Sequence, residues 1–217
     1  MSKKTSDKIQ ALNAINKNGI LLVFPIKNKN EYNSIWKELY PRSKMKWEWD
    51  ENGDNRVAKL WHLREELSSS REVIYSKWLS GRATFFSKPL FKSLYRLSRE
   101  WNSNQKTRES MQILDCLKMD SPLSTKQLKE ATHLQGKYFE RTYEKAMKPL
   151  WQHFDIVAVG EIQDSSFPSL AIASTESFFE DLVLEAKEKS LSEAQEIFKT
   201  YVPQNSLVEK FWRKLQN

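Results

Sequence analysis

Hydrophobic residues recur three and four positions apart in much of the first half of the chain, the spacing typical of amphipathic helices. The helices that this spacing predicts are residues 7–17, 31–40, 56–80 and 88–99, and the serine cluster 68–70 is expected to break or kink the third, with Ser70 as a candidate N-cap for its second half. Ser87 fits the N-cap of the last helix, and Pro89 lies in its first turn. The continuous apolar run 20–25 has the length of a buried strand, and alternation around residues 45–49 indicates an edge strand.

The second half carries a more specific pattern. An apolar helical face over residues 108–119 is followed by Ser124 and Gln127, whose spacing predicts a capping box at the start of a second helix. The turn at Gly136 leads to a third predicted helix over residues 137–153, with Ala131 and Phe139 expected to face the core. Two β-rich segments, 155–162 and 169–173, flank a polar turn and predict a hairpin. This order is typical of a winged helix-turn-helix.

The expected fold is therefore mainly α with small β-hairpins and contains a winged helix-turn-helix. Three modules are predicted along the chain. They are an α-rich module at 1–105, the winged helix-turn-helix at 106–176, and C-terminal helices at 177–217. The polar stretch 100–106 is the clearest linker between the first two.

Charge is distributed unevenly along the chain. The net charge is +7, but residues 1–105 hold 20 Lys and Arg against 11 Asp and Glu, whereas residues 151–217 hold 6 against 11. A positive field over the first two thirds suits a polyanionic partner, although surface lysines that serve solubility would give the same counts.

In two stretches of the chain, Lys and Arg residues recur at the spacing of one helix face. The third helix of the second half would carry Lys137, Arg141, Lys145 and Lys148 on one side, unless Glu140 and Glu144 neutralise them. Residues 71–99 carry several more cations, with aromatic residues between them. The DNA-binding candidates in that stretch are Arg82, Lys88, Lys92 and Arg96. We expect the two helices to align their cations into one track wide enough for a duplex.

Recognisable catalytic and metal-binding motifs are lacking in the sequence. The single cysteine, Cys116, excludes an intramolecular disulfide and falls on an apolar helical face. The three histidines have no partners at metal-ligand spacing, and no phosphate-binding loop occurs. No apolar run is long enough to cross a bilayer, and the N-terminus does not resemble a signal peptide. We expect a cytoplasmic protein with no membrane partner, no metal and no cofactor; its oligomeric state is not predicted.

Several segments resemble the AlkZ/YcaQ winged-helix DNA glycosylases. The similar stretches are NGILLVFPIK at 18–27, residues 34–36, LWHLREEL at 60–67, residues 74–85, PLSTKQL at 122–128 and SEAQEIFKTY at 192–201. The resemblance implies a tandem winged helix-turn-helix, in which residues 1–105 would form a further winged-helix-like module, and a positive surface along a DNA path. It also implies a Gln-x-Asp or Gln-x-Gln motif near the N-terminus, but the comparable residues 19–25 are GILLVFP and contain neither Gln nor Asp.

No catalytic residue is therefore carried over from that family. The sequence favours a non-catalytic protein that binds double-stranded DNA in repair or regulation. A DNA glycosylase acting on alkylated or crosslinked DNA, and a winged-helix module for protein–protein contacts, are the alternatives.

Overall fold

The computed structural model describes residues 6–26, 33–46, 55–100, 106–164 and 166–216. Within these ranges the protein is a mixed α/β structure, in which helices predominate around a single six-stranded antiparallel sheet. The expected helical character is confirmed. The hairpins, however, are not separate small elements, because all of them join this one sheet.

Short strands are interspersed with helices along the chain. The strands are β1 (Ile20–Leu22), β2 (Ile74–Ser76), β3 (Thr84–Phe86), β4 (Leu123–Ser124), β5 (Ile156–Ile162) and β6 (Ser169–Ser174). The helices are α1 (Asp7–Asn18), α2 (Ile35–Leu39), α3 (Asn55–Ser69), α4 (Lys88–Ser98), α5 (Arg108–Met119), α6 (Thr125–Ala131), α7 (Glu140–Gln152), α8 (Thr175–Phe178), α9 (Glu180–Glu188), α10 (Leu191–Tyr201) and α11 (Leu207–Gln216).

The same topology occurs twice. The first half runs α1, β1, α2, α3, β2, β3, and the second runs α5, β4, α6, α7, β5, β6. The strand order across the sheet is β1-β3-β2-β5-β6-β4, so in each half the last strand lies between the other two. The halves meet where Tyr75 of β2 pairs with Ala158 of β5. The sheet is therefore continuous across two topologically equivalent units.

Two hydrophobic cores cover the two faces of this sheet. Successive strand residues point to opposite faces, so Tyr75, Phe85 and Ala158 enter one core while Ile74 and Phe86 enter the other. The first core contains the apolar faces of α1, α2, α3, α5, α6 and α7. The second contains those of α4, α9, α10 and α11. Helices α4 and α7 therefore lie on opposite sides of the sheet.

The break expected at residues 68–70 is confirmed, but the predicted helix over 56–80 is wrong beyond it. Helix α3 ends at Ser69, where the hydroxyls of Ser68 and Ser70 donate to backbone carbonyls of its last turns at 2.8 Å. The chain then forms β2 (Ile74–Ser76), a strand buried on both faces. A strand of this kind shows no polar alternation, so its pattern resembles a buried helix. Gly81, which directly follows the predicted helix and was expected to end it, lies in the turn between β2 and β3.

Local signals in the second half are largely confirmed. Helix α5 has the predicted bounds, and Ser124 and Gln127 form the capping box, with bonds of 2.8 and 3.0 Å. Helix α7, however, begins at Glu140 after a turn at 136–139, so Phe139 is 39% exposed. Ala131, also expected in the core, is exposed as well.

The predicted edge strand at 45–49 and the linker at 100–106 fall mostly outside the described residues.

Candidate nucleic-acid interface

Helix α7 presents cations on one side and apolar residues on the other. Its buried face packs into the first core through residues that include Tyr143, Met147 and Leu150. The exposed face carries the cations Arg141, Lys145 and Lys148. Their spacings of four and three residues place them on one side of the helix. Three of the predicted DNA-binding residues are thereby brought together.

The acids of α7 leave these cations unneutralised. Glu140 pairs instead with Lys129 of α6, with Nζ to Oε2 at 2.6 Å. Within the described part of the chain, Arg141, Lys145 and Lys148 form no ion pair. The alternative in which Glu140 and Glu144 neutralise the lysines of α7 is therefore not observed there.

The turn before α7 adds a cation and an exposed aromatic ring. Lys137 is exposed, but it precedes the helix and does not extend its stripe. The neighbouring Tyr138 is 88% exposed, with its ring centroid 5.2 Å from that of Phe139. A large side chain so exposed at the start of α7 is available to a partner that meets the helix end-on.

Two of the predicted DNA-binding cations of α4, unlike those of α7, form ion pairs within the protein. Lys92 pairs with Glu185 of α9. Arg96 pairs with Glu100 at 2.6 Å and donates to the carbonyl of Lys189 at 3.0 Å. Lys88 is exposed at the start of the helix. Lys92 and Arg96 therefore hold the C-terminal helices against α4.

The expected single track across both helices is wrong. Because α4 and α7 cover opposite faces of the sheet, Lys92 and Arg141 lie on different sides of the molecule. Helical spacing identifies a stripe within one helix, but it carries no information about the face on which that helix packs.

The basic surface of α7 instead continues towards a cavity of about 670 Å³. The cavity lies between the β2–β3 turn, α7, β6 and α11. Its charged lining residues are Lys77, Lys148, Lys214 and Glu144. The predicted residue Arg82 is exposed beside Gly81, which also lines the cavity. Sequence reasoning identified Lys77 only as part of a basic stretch and missed Lys214.

A buried polar cluster lies at the junction of the two halves. The Arg64 guanidinium of α3 pairs with Glu161 of β5 and stacks over the Trp61 ring at 4.1 Å. Burial raises the pKa of the Tyr75 hydroxyl, which Arg64 partly opposes. Burial lowers the pKa of the Lys77 ammonium, and the charge of Arg64 lowers it further. The positive charge of Arg64 therefore acts on Lys77, which lines the cavity.

A second polar cluster fixes the start of β5. Asp155 pairs with Arg99 at 2.9 Å and with Lys106 at 2.8 Å. The neighbouring His153 is buried, and this burial lowers its pKa to about 4, although the charge of Asp155 acts in the opposite direction. The cluster joins the end of α4 to the second half and is a structural centre.

Neither a metal centre nor a membrane-spanning helix is found among the described residues. No group of three or more His, Cys, Asp and Glu side chains there could hold a metal ion. Among the helices of those ranges, none combines the length and apolar character of a bilayer-spanning segment.

Comparison with known proteins gives one result. The sequence model of a family described as AlkZ related matches residues 6–214. No curated protein and no solved structure matches the chain significantly. The match covers both topological repeats and the C-terminal helices.

Proposed function

Because the chain belongs to the AlkZ-related family, we propose that it binds double-stranded DNA in a repair setting, through the exposed cations of α7. The observation that carries the proposal is the set Arg141, Lys145 and Lys148, which is exposed on one side of a helix and unpaired within the described ranges. Cations in such a row can contact successive phosphates and release the counterions condensed on DNA.

We further propose that each topological repeat is a winged helix. The order of one helix, a short strand, two helices and a hairpin supports this interpretation in both halves. In such folds the third helix is the one that enters the major groove. In the second half that helix is α7, which is also the helix that carries the free cations.

The remaining predicted residues take different places in this proposal. Lys137, in the turn before α7, would meet the backbone at the helix N-terminus, and Arg82 would extend the basic surface past the cavity. Lys88, Lys92 and Arg96 lie on the other side of the sheet. They would have to contact a separate segment of DNA, and two of them would first have to leave their intramolecular partners.

The test removes two cations of α7 and measures salt dependence. We expect Arg141→Ala/Lys145→Ala to weaken binding to a 20-base-pair duplex, and to lower the slope of log K against log salt by about 2, since each phosphate contact contributes about 0.9. Fluorescence anisotropy at several salt concentrations would provide both quantities.

The matched control is Lys187→Ala/Lys199→Ala, which removes two exposed lysines from helices on the other face of the sheet. This control should bind like the unmodified protein. If the α7 double variant and the control have the same affinity and salt slope, α7 is not the DNA-binding element.

The absence of catalysis remains a prediction. It rests on residues 19–25, where Leu21, Leu22 and Val23 are buried in the hydrophobic cores and offer no polar side chain to activate water. Incubation with alkylated or crosslinked duplex, followed by detection of abasic sites, tests it directly. A product that forms in proportion to bound protein would establish a glycosylase instead.

A further inference from the structure

We propose that the cavity beside α7 receives a single nucleotide, with its phosphate on the lysines and its base against the apolar wall. The inference extends the proposed DNA binding, and it rests on that function only for the source of the nucleotide. One source is an unpaired nucleotide of bound DNA, and the other is a free nucleoside monophosphate.

The cavity has the size and position of a ligand site. Its volume of about 670 Å³ lies within the range of small-molecule pockets, roughly 300–1,000 Å³. It is formed by residues from both topological repeats and from the C-terminal helix, and such junctions between units are common places for ligand sites. Every lining residue belongs to the described part of the chain.

Charge in the lining favours an anion. Lys77, Lys148 and Lys214 contribute three cations against the single carboxylate of Glu144. Lys148 also belongs to the exposed side of α7. A phosphate held here would therefore be continuous with the row of cations proposed to follow the DNA backbone.

Two buried donors in the lining lack partners. The indole N–H of Trp78 and the hydroxyl of Tyr143 are both buried, and neither has a hydrogen-bond partner among the described residues. A buried donor without an acceptor is destabilising, so these two groups would gain from an acceptor that a ligand supplies. Both donor atoms are themselves buried, so the ring nitrogens and carbonyl oxygens of a nucleobase edge could accept from them only after these side chains turn towards the cavity.

The rest of the lining suits the faces of a base. The apolar lining residues are Met147, Trp151, Leu170, Ile172, Phe211 and Leu215. Aromatic and aliphatic side chains contact any base through its π-face, so the wall by itself imposes no sequence preference. Selection among bases would depend on the two donors.

The experiment compares a fully paired 20-base-pair duplex with the same duplex carrying one bulged nucleotide, and it measures free dAMP binding by calorimetry. We expect at least fivefold tighter binding to the bulged duplex. Tyr143→Phe, which removes only the hydroxyl, should lower this ratio at least threefold. Lys214→Ala on the exposed side of α11 should do the same and keeps the test available if the other variant misfolds.

The control variants separate this proposal from DNA binding itself. Arg141→Ala should weaken both duplexes equally and leave their ratio unchanged, whereas Lys199→Ala should change neither affinity. If both duplexes bind equally well and dAMP shows no saturable binding, the nucleotide site does not exist.

The other outcomes distinguish the sources. Saturable dAMP binding that Tyr143→Phe weakens, without a preference for the bulge, would support a site for free nucleotides. The same dAMP result without any affinity for duplex would refute the proposed DNA binding and leave the cavity assignment standing.

Discussion

The buried ion pair between Arg64 and Glu161 joins the two halves of the molecule, and its disruption should be costly. The Arg64 residue is 4% exposed, and the Glu161 side chain is 9% exposed. In Glu161→Leu the guanidinium would lose its carboxylate partner and keep the Tyr75 hydroxyl at 3.4 Å and the Trp61 ring, while the Lys77 ammonium remains close enough to repel it. Its Nε already lacks a hydrogen-bond partner within the described ranges.

The magnitude follows from the uncompensated charge. Two unit charges about 4 Å apart attract by about 4 kcal/mol at an effective dielectric constant of 20, and removal of one partner of a buried pair typically costs about 3–5 kcal/mol. We expect Glu161→Leu to lower the free energy of unfolding by that amount. The double variant Arg64→Met/Glu161→Leu removes both charges, so it should lie within about 1 kcal/mol of the unmodified protein.

Urea unfolding followed by tryptophan fluorescence would measure the unmodified protein, Arg64→Met, Glu161→Leu and the double variant. These four free energies of unfolding complete the double-mutant cycle and provide the coupling energy. Glu196→Leu, which breaks the exposed pair with Lys199, is the matched control and should change stability little. The reasoning fails if Glu161→Leu costs less than about 1 kcal/mol, or if the double variant is as unstable as the sum of the two single ones.

Two further predictions concern stability. Gly19 has φ of +75°, and a Cβ there would lie 2.5 Å from the Tyr201 ring, so Gly19→Ala should lower the free energy of unfolding by about 2–4 kcal/mol. Gly81 has a similar φ of +74° but open space around it, so Gly81→Ala should lower the same quantity by only about 1 kcal/mol. Equal losses for the two variants in urea unfolding would refute the steric argument. For His153, the folded pKa of about 4 lies below the unfolded value near 6.5, so only the unfolded chain gains this proton as the pH falls between them. Acid should therefore destabilise the protein by about 1–2 kcal/mol more, between pH 7 and pH 5, than it destabilises His153→Phe; an identical loss in both would contradict this assignment.

Local sequence signals predicted the second half better than the first. The Ser124–Gln127 capping box and the apolar face of α5 act within a few residues, so they can be read without knowledge of the fold. Strands β2 and β3 have three residues each and are buried on both faces, so they lack the alternation that identifies a strand. Periodicity alone therefore did not predict the topological repeat in the first half, which only the family resemblance implied.

The candidate site likewise has a part that local sequence patterns predicted and a part that depends on contacts between distant residues. The row Arg141, Lys145 and Lys148 depends on helical periodicity alone, and the structure exposes it as expected. The occupation of Lys92 by Glu185 depends on a contact between residues 93 positions apart, which no local pattern reveals. The cavity gathers residues from Lys77 to Leu215, so its cations and unpaired donors come together only through packing.

The strand order β1-β3-β2-β5-β6-β4 also bears on self-association. The two outermost strands, β1 and β4, have only three and two residues, whereas the longer β5 and β6 lie inside the sheet. Ser34 forms a further bridge to Leu22 along the margin of β1. Short outer strands present few unpaired backbone N–H and C=O groups with which a strand of another molecule could pair. This arrangement therefore disfavours fibre formation by edge-to-edge addition of copies.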